Sequence, residues 1–339
     1  MNQFSKRYQE IIASAPDAIA VQSGAKVERP HPLAHGLSFK EIALACCLVH
    51  NPHDEDRSSA VVSAGMSTSD FSQILLDGFG IVTTSMYHAQ AEHLQFVSTE
   101  EVKNYNPTPI SAIDIDLTLD ELTECQEIQQ FNAALSGGGL TARLTSFGKL
   151  ITVTREAVYN NQIADIGRLF SAAGLSVARL ESRLVATAME GNPLMNDQLP
   201  VFGAEFLNDL PGEVFTGTAV GKAMSMLRKQ LTASGHEANL RARHLVVEPD
   251  LELYALTVVQ DLGIEITVSV LASLPAGRWF LLADPAVCPT VGVLRLFGAK
   301  TPVRLGKPTQ RVFKEGIHTR VIADIGACLL RRNGIVRGG

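Results

Sequence analysis

The sequence lacks a basic excess, a long apolar run and paired cysteines, and each absence removes a class of protein. Its 339 residues hold 29 Lys and Arg against 35 Asp and Glu, a formal net charge of −6. A chain that wraps nucleic acid through a general basic surface would carry the opposite sign. The best apolar run, Ile42 to Val49, is far shorter than the ~20 residues of a membrane span and fits a short helix face. The opening, MNQFSKRYQE, is polar and lacks the apolar core of a secretory signal. The five cysteines, Cys46, Cys47, Cys125, Cys288 and Cys328, are odd in number and include no CxxC pair. Reduced thiols in a cytoplasmic setting are expected rather than a disulfide framework.

Catalytic signatures are missing as well. There is no GxSxG elbow, no HExxH and no carboxylate pair with an obvious partner. GTAVGK, Gly217 to Lys222, has three residues between its glycines where a phosphate loop has four, and Ala223 follows the lysine. It reads as a helix start. SGGGL, Ser136 to Leu140, reads as a flexible loop tip. His50 and His53 beside Asp54, Glu55 and Asp56 are separated by Pro52, and nothing fixes their geometry as a metal site. His31 with His35, and His88 with His93, are no better spaced. Adjacent Cys46 and Cys47 on an apolar helix point in different directions and read as structural thiols. Arg179 and Arg183, one helical turn apart with Glu181 between, read as a solvated or interface face. No catalytic residue, cofactor or metal is expected, and the chain is not expected to be an enzyme.

What is present is architecture. A helical start near Tyr8 to Ser14 precedes the loop ERPHPLAHG, and Ser38 with Glu41 three positions on forms a capping box for a helix ending near His50. A second helical stretch begins after Met66. Strand character follows from Asn104, and the alternation from Lys149 to Thr154 ends a long hairpin. Apolar residues at Ile166, Leu169, Phe170, Ala173, Val177, Leu180, Leu184 and Ala188 then define a very long amphipathic helix. Asn160 and Asn161 are its expected N-cap residues, and Gly191 with Pro193 its stop. TGTAVGKAMSMLRKQL is a further helix, HLVVEPDLELYALTVVQ a strand, turn and helix, and several short β-branched runs close the chain. The order is α+β, with the sheet assembled late.

Charge is segregated along the chain. From Glu92 to Glu127 the acids Glu92, Glu100, Glu101, Asp114, Asp116, Asp120, Glu121, Glu124 and Glu127 face a single Lys103. From Arg295 to Arg337 the balance inverts, with only Glu315 and Asp324 opposing a run that includes Arg304, Lys307 and Arg311. An acidic hairpin and a basic C-terminal sheet suggest that copies grip one another. The alternative is that each stretch simply faces water.

Several stretches resemble one family. GMSTSDFSQILLD (Gly65 to Asp77), SFGKLITVTREAVYNNQIADIGRL (Ser146 to Leu169), ARLESRLV (Ala178 to Val185) and GNPLMNDQLPVFGAEFLNDL (Gly191 to Leu210) are similar, in order, to the Mu-like major head subunits of tailed phages. RHLVVEPDLE, WFLLADP and IADIGACLLRRNGIVR match later landmarks, so the resemblance covers about 66–337. GLSFKEIALACCLV, upstream, is similar to the segment that joins a head-maturation protease module to the capsid module in some relatives. The chain departs from relatives at Gly203 and Phe206, where histidines are usual, and at Gly137, Gly138 and Gly139, where a Glu-Tyr stretch is.

The resemblance implies a Hong Kong 97-type capsid fold: an N-terminal extension at 1–65, an arm at 66–104 and an extended hairpin loop at 105–153. A peripheral domain at 154–214 and 286–339 would contain a spine helix at 162–190, and an axial domain would span 215–285. It implies a major capsid protein that assembles with itself into hexamers and pentamers around double-stranded DNA, packaged without sequence specificity. Portal protein, scaffold or head protease, and a decoration protein are the other implied partners, with no membrane. The implied location is the virion, assembled in the host bacterial cytoplasm. The alternative is the shell of a nanocompartment or of a phage-derived particle. Contacts between subunits are expected from Asp114, Asp116, Glu121, Glu124 and Glu127 to Arg304, Lys307 and Arg311. Residues 1–65 are expected to dock on a subunit and to survive maturation.

Overall fold

A computed structural model describes residues 3–50, 59–110, 140–195, 197–232, 235–306, 309–311 and 314–339. Its helices are α1 (Gln3–Gln22), α2 (Phe39–His50), α3 (Ser59–Met66), α4 (Ser69–Gln90), α5 (Arg155–Tyr159), α6 (Ile163–Glu190), α7 (Gly217–Lys229) and α8 (Glu252–Asp261). The early strands are β1 (Ser98–Val102), β2 (Thr108–Ile110), β3 (Leu140–Ala142), β4 (Thr145–Val153) and β5 (Asp209–Leu210). The later ones are β6 (Ala242–Val247), β7 (Thr267–Val270), β8 (Trp279–Ala283), β9 (Val291–Leu296), β10 (Val303–Leu305), β11 (Thr309–Arg311), β12 (Lys314–Leu329) and β13 (Ile335–Gly338). The chain divides into two compact units, one of residues 1–91, 146–180 and 299–324, the other of 92–145, 181–298 and 325–339. One βαβ unit is present, β6 and β7 parallel with α8 between them, but the other strands do not follow that rhythm and the class is α+β.

The first unit is built on helix packing. The capping box forms as the sequence predicts: Ser38 N donates to Glu41 Oε2 at 2.8 Å and Glu41 N donates to Ser38 Oγ at 3.3 Å. α2 then buries Phe39, Ile42, Ala43, Ala45 and Cys46. α4 is capped by Thr68, whose Oγ1 accepts from Phe71 N at 3.2 Å. Phe71 meets Phe39 edge-on at 6.4 Å, and Phe79 stacks on Phe170 of α6 at 4.4 Å. Two glycines permit close approach between helices. A Cβ at Gly78 would stand 2.8 Å from Cβ of Ile19 on α1, and one at Gly174 would run into the carbonyl oxygen of Thr83. α1 is longer than the sequence predicts because Ala15, Ala18 and Ile19 are packed to full burial around Pro16.

α6 is 28 residues long, about 42 Å at ~1.5 Å per residue. It starts at Ile163, after the short α5, and Asn160 and Asn161 do not cap it. Asn161 instead takes a left-handed conformation, φ 54°, and its Oδ1 accepts from Phe39 N at 2.8 Å. The side chain expected to cap α6 thus joins it to α2. In the same unit the front of β12 pairs antiparallel with β10 (Val303↔Ala323) and β11 (Thr309↔His318), and also pairs with β4.

The second unit holds a five-stranded mixed sheet in the order β5-β13-β8-β6-β7. β8, WFLLA, is buried along its whole length, which a central strand covered on both faces requires. Its residues alternate between two cores. Phe280 and Leu282 join Val246, Ile335 and the last turns of α6 at Val185, Ala186 and Met189. Trp279 and Leu281 join Leu245, Val247, Val336, α7 (Ala219, Val220, Ala223, Leu227) and α8 (Ala255, Val258). A one-residue slip would exchange the two cores, so register is fixed by both. In the same unit β9 pairs parallel with β1 (Ser98↔Gly292) and antiparallel with the end of β12 (Leu329↔Val291), while β2 and β3 form a separate pair (Thr108↔Ala142).

Candidate functional site

Polar side chains inside the two units are occupied in holding elements together. In the second unit Glu181 of α6 is fully buried; its Oε1 accepts from Arg295 Nη1 of β9, and its Oε2 lies 3.0 Å from His93 Nε2. In the sequence Glu181 is only the residue between two arginines, and the cluster leaves no local signal. At ~100° of rotation per residue, position 181 faces nearly opposite to 179 and 183. Arg179 and Arg183 are exposed while Glu181 is buried. Arg332 holds Asp197 through two hydrogen bonds, one of 2.7 Å, and this pulls the Asp197 carboxyl down to about 2. Arg337 grips Asp209 at 2.8 and 2.9 Å while lying over the Phe202 ring at 4.3 Å.

In the first unit β4 is tied to β12. Ser146 Oγ donates to Asp324 Oδ1 at 2.5 Å, and Arg304 Nε donates to Asp324 Oδ2 at 3.0 Å. Asp324 is buried and Arg304 is half exposed, with its Nε held by its own subunit. Thr152 Oγ1 lies 2.8 Å from Nδ1 of the buried His318.

Two open concavities lie on the described surface. One, in the second unit, of about 610 Å³, is lined by Arg228, Arg241, Arg243, Glu265 and Asp284 over apolar residues that include Met224 and Ile266. Arg228 Nη1 donates to Asn239 Oδ1 at 2.7 Å, and Arg243 lies 3.6 Å from Glu265. Burial holds the pKa of neighbouring His244 below its usual value, with Asp284 opposing and Arg243 adding to the effect. The other, in the first unit, is a groove of about 530 Å³ between β4 and α6, lined almost wholly by apolar and small residues.

Of the residues expected at contacts between subunits, Arg304 lies on β10 and Arg311 on β11, both paired with β12. Asp114, Asp116, Glu121, Glu124, Glu127 and Lys307 lie outside the described residues, as do the glycines of SGGGL, His53 and the acids beside it. GTAVGK is the first turn of α7: Thr216 Oγ1 accepts from Ala219 N at 3.1 Å, and Lys222 Nζ donates to Glu213 at 2.6 Å. His31 turns its Nδ1 to Leu33 N at 3.3 Å, closing a local turn. Cys46, Cys47, Cys288 and Cys328 are buried free thiols, and burial pushes the pKa of Cys46 and Cys328 up to about 12. Among the described residues no group of three or more His, Cys, Asp or Glu could hold a metal, and no helix is long and apolar enough to cross a membrane.

The described surface therefore offers faces for contact: an exposed strand, an apolar groove and an arginine-lined cleft. Residues 139–338, more than half of the chain, match the family model described as phage capsid protein, and the chain belongs to that family. Its role is that of a structural shell protein. No curated protein sequence matches it. Among solved structures it is similar to the virus-like particle from Pyrococcus furiosus, at 12% identity and TM-score 0.48, covering 76% of this chain and 97% of that one. It is also similar to the capsid of Cyanophage P-SCSP1u, at 12% identity and TM-score 0.43, covering 72% and 85%. A third similar structure is an encapsulin complex from Synechococcus elongatus, at 10% identity and TM-score 0.47, covering 72% and 85%.

Proposed function

We propose that this protein is the major capsid subunit of a tailed phage of the Mu-like kind, with the Hong Kong 97-type layout, assembling into hexamers and pentamers of an icosahedral head around double-stranded DNA. The observation that carries the proposal is the family match over residues 139–338. α6 supplies the spine helix, residues 105–153 the extended hairpin, and 215–285 the axial domain. Residues 1–65 stay in the mature head: α1 and α2 pack with α4 through Gly78 and the Phe39–Phe71 pair, so their removal would strip apolar surface. Portal protein, scaffold or head protease, and a decoration protein complete the assembly. The acidic residues Asp114, Asp116, Glu121, Glu124 and Glu127 approach Arg304, Lys307 and Arg311 of adjacent subunits. Head assembly takes place in the host bacterial cytoplasm.

Negative-stain microscopy of the expressed protein, followed by nuclease treatment of particles from a lysate, tests the reading. Closed shells holding nuclease-protected DNA are expected. Shells holding a cargo protein and no DNA would make the particle a compartment instead. Protein that stays monomeric under all assembly conditions, and is missing from phage heads, would end the capsid reading. N-terminal sequencing of heads that began near Ser63 or Met66 would refute the retained extension.

A further inference from the structure

The arginine-lined cleft of the second unit gathers positive charge in a chain whose formal net charge is −6. Local structure explains how. Arg228 stands in the last turn of α7, and the chain returns beside it, where Asn239 N donates to the Arg228 carbonyl oxygen at 3.1 Å. The chain then enters β6, and Arg241 and Arg243 both line the cleft. Three guanidiniums therefore stand around one concavity of about 610 Å³, a volume ordinary for a small-ligand site.

Little within the cleft cancels that charge. Among the described residues neither Arg228 nor Arg241 is joined to a carboxylate. Arg228 gives an N–H to the neutral Asn239 Oδ1 at 2.7 Å, which orients its guanidinium without neutralising it. Asn239 does this from a left-handed conformation, φ 46°. Arg243 meets Glu265 at 3.6 Å, but the Glu265 side chain is 95% exposed, a pairing that water weakens and a competing anion displaces. Asp284, the other acid, accepts from Ala286 N at 2.8 Å and closes its own turn. Met224, Ile264 and Ile266 are the apolar lining, over which charge is less screened than on an open surface. A guanidinium fork matches the oxygens of a phosphate or carboxylate. Three of them are matched by a ligand whose acceptor groups follow one another closely, and a short phosphate chain supplies that. A DNA duplex spreads its phosphates along a stiff rod and does not gather them into a concavity.

We propose that this cleft is a binding site for a short phosphate chain, free or as the phosphate end of a nucleotide, held by Arg228, Arg241 and Arg243. The site goes beyond the capsid reading and does not depend on it, because all its residues belong to one unit of one subunit. A bound chain bridges the end of α7 to the start of β6, so it stabilises the folded subunit.

The test is titration calorimetry of the full-length, unassembled protein with sodium tripolyphosphate at about 0.15 M salt. Saturable binding is expected, with a melting temperature that rises with ligand concentration. Arg241→Gln is expected to weaken binding about tenfold or more, while the ligand-free melting temperature stays the same. Should that variant not fold, Arg243→Gln, also at an exposed position, reads the same loss. Arg183→Gln removes an equal charge from an exposed position on α6 and should leave the affinity nearly unchanged. Glu265→Gln removes the acid opposing Arg243 and should tighten binding. Adenosine triphosphate binding more tightly than tripolyphosphate would assign the chain to a nucleotide, and equal affinity would assign it to a free polyphosphate. The site is overturned by any of three results: no saturable binding, an equal loss from Arg241→Gln and Arg183→Gln, or binding of a short DNA duplex that tripolyphosphate does not displace. None of them bears on whether the protein forms shells, which microscopy decides separately.

Discussion

Glu181 is fully buried, and Arg295 and His93 lie against its carboxylate. Removing one partner of a buried pair leaves the other uncompensated, at a typical cost of ~3–5 kcal/mol. Glu181→Ala is therefore expected to lower the unfolding free energy by about that much in urea titration; a loss under about 1 kcal/mol would mean that water reaches Arg295. Asp197 makes a different prediction. Its carboxyl is depressed from 3.8 to about 2 in the folded state by the Arg332 hydrogen bond. A depressed acid stabilises the fold above its unfolded pKa, and the contribution is lost as pH falls from about 4 towards 2. Asp197 is well exposed, so the contribution is of the surface kind, roughly 0–1 kcal/mol. Asp197→Asn should lower the neutral plateau by up to that amount and leave stability near pH 2 unchanged, so that the acid limb is flatter in that window. A full acid limb in the variant would place the titration elsewhere.

At the scale of elements, capping and close approach make separable contributions. Ser38→Ala removes the acceptor for Glu41 N and should cost about 1 kcal/mol, read as a lower melting temperature. Gly174→Val places a side chain against the carbonyl of Thr83, and overpacking of this kind costs ~1–3 kcal/mol or more. A melting temperature unchanged by Gly174→Val would mean that α4 and α6 can separate freely. These elements differ in how far the sequence discloses them. α6 was legible in extent because its apolar stripe repeats over 28 residues and Gly191 with Pro193 ends it. The capping box was legible because both partners lie within four residues. α1 was legible only in part, since Pro16 interrupts its local signal and its burial comes from α4, distant in sequence. Asn161 was misread because a good cap residue was drawn to α2 by a contact across 122 positions. The apolar groove had no sequence signal at all. It depends on β4 standing beside a stretch of α6 that a linear pattern cannot place.

For the whole molecule the central question is what gathers copies. Exposed ion pairs each contribute only about 0–1 kcal/mol, so the proposed contacts between subunits would act collectively, on register and order of assembly. Asp114→Lys, Asp116→Lys and Glu121→Lys together should block shell closure while leaving the subunit's melting temperature nearly unchanged. High salt should slow or misdirect assembly more than it dismantles finished shells. Normal shells from the triple variant, with an unaltered salt response, would show that the charge segregation merely keeps a surface wet. The placement of the thiols has its own consequence. Cys46 and Cys47 are shut inside the first unit, Cys288 and Cys328 inside the second. Burial also keeps the Cys46 and Cys328 thiols in the unreactive protonated form at neutral pH. Each unit thus carries a pair of chemical clocks that start only when its interior opens. Brief exposure to an alkylating reagent, read by mass, would report which unit loosens first as free subunits become a closed wall.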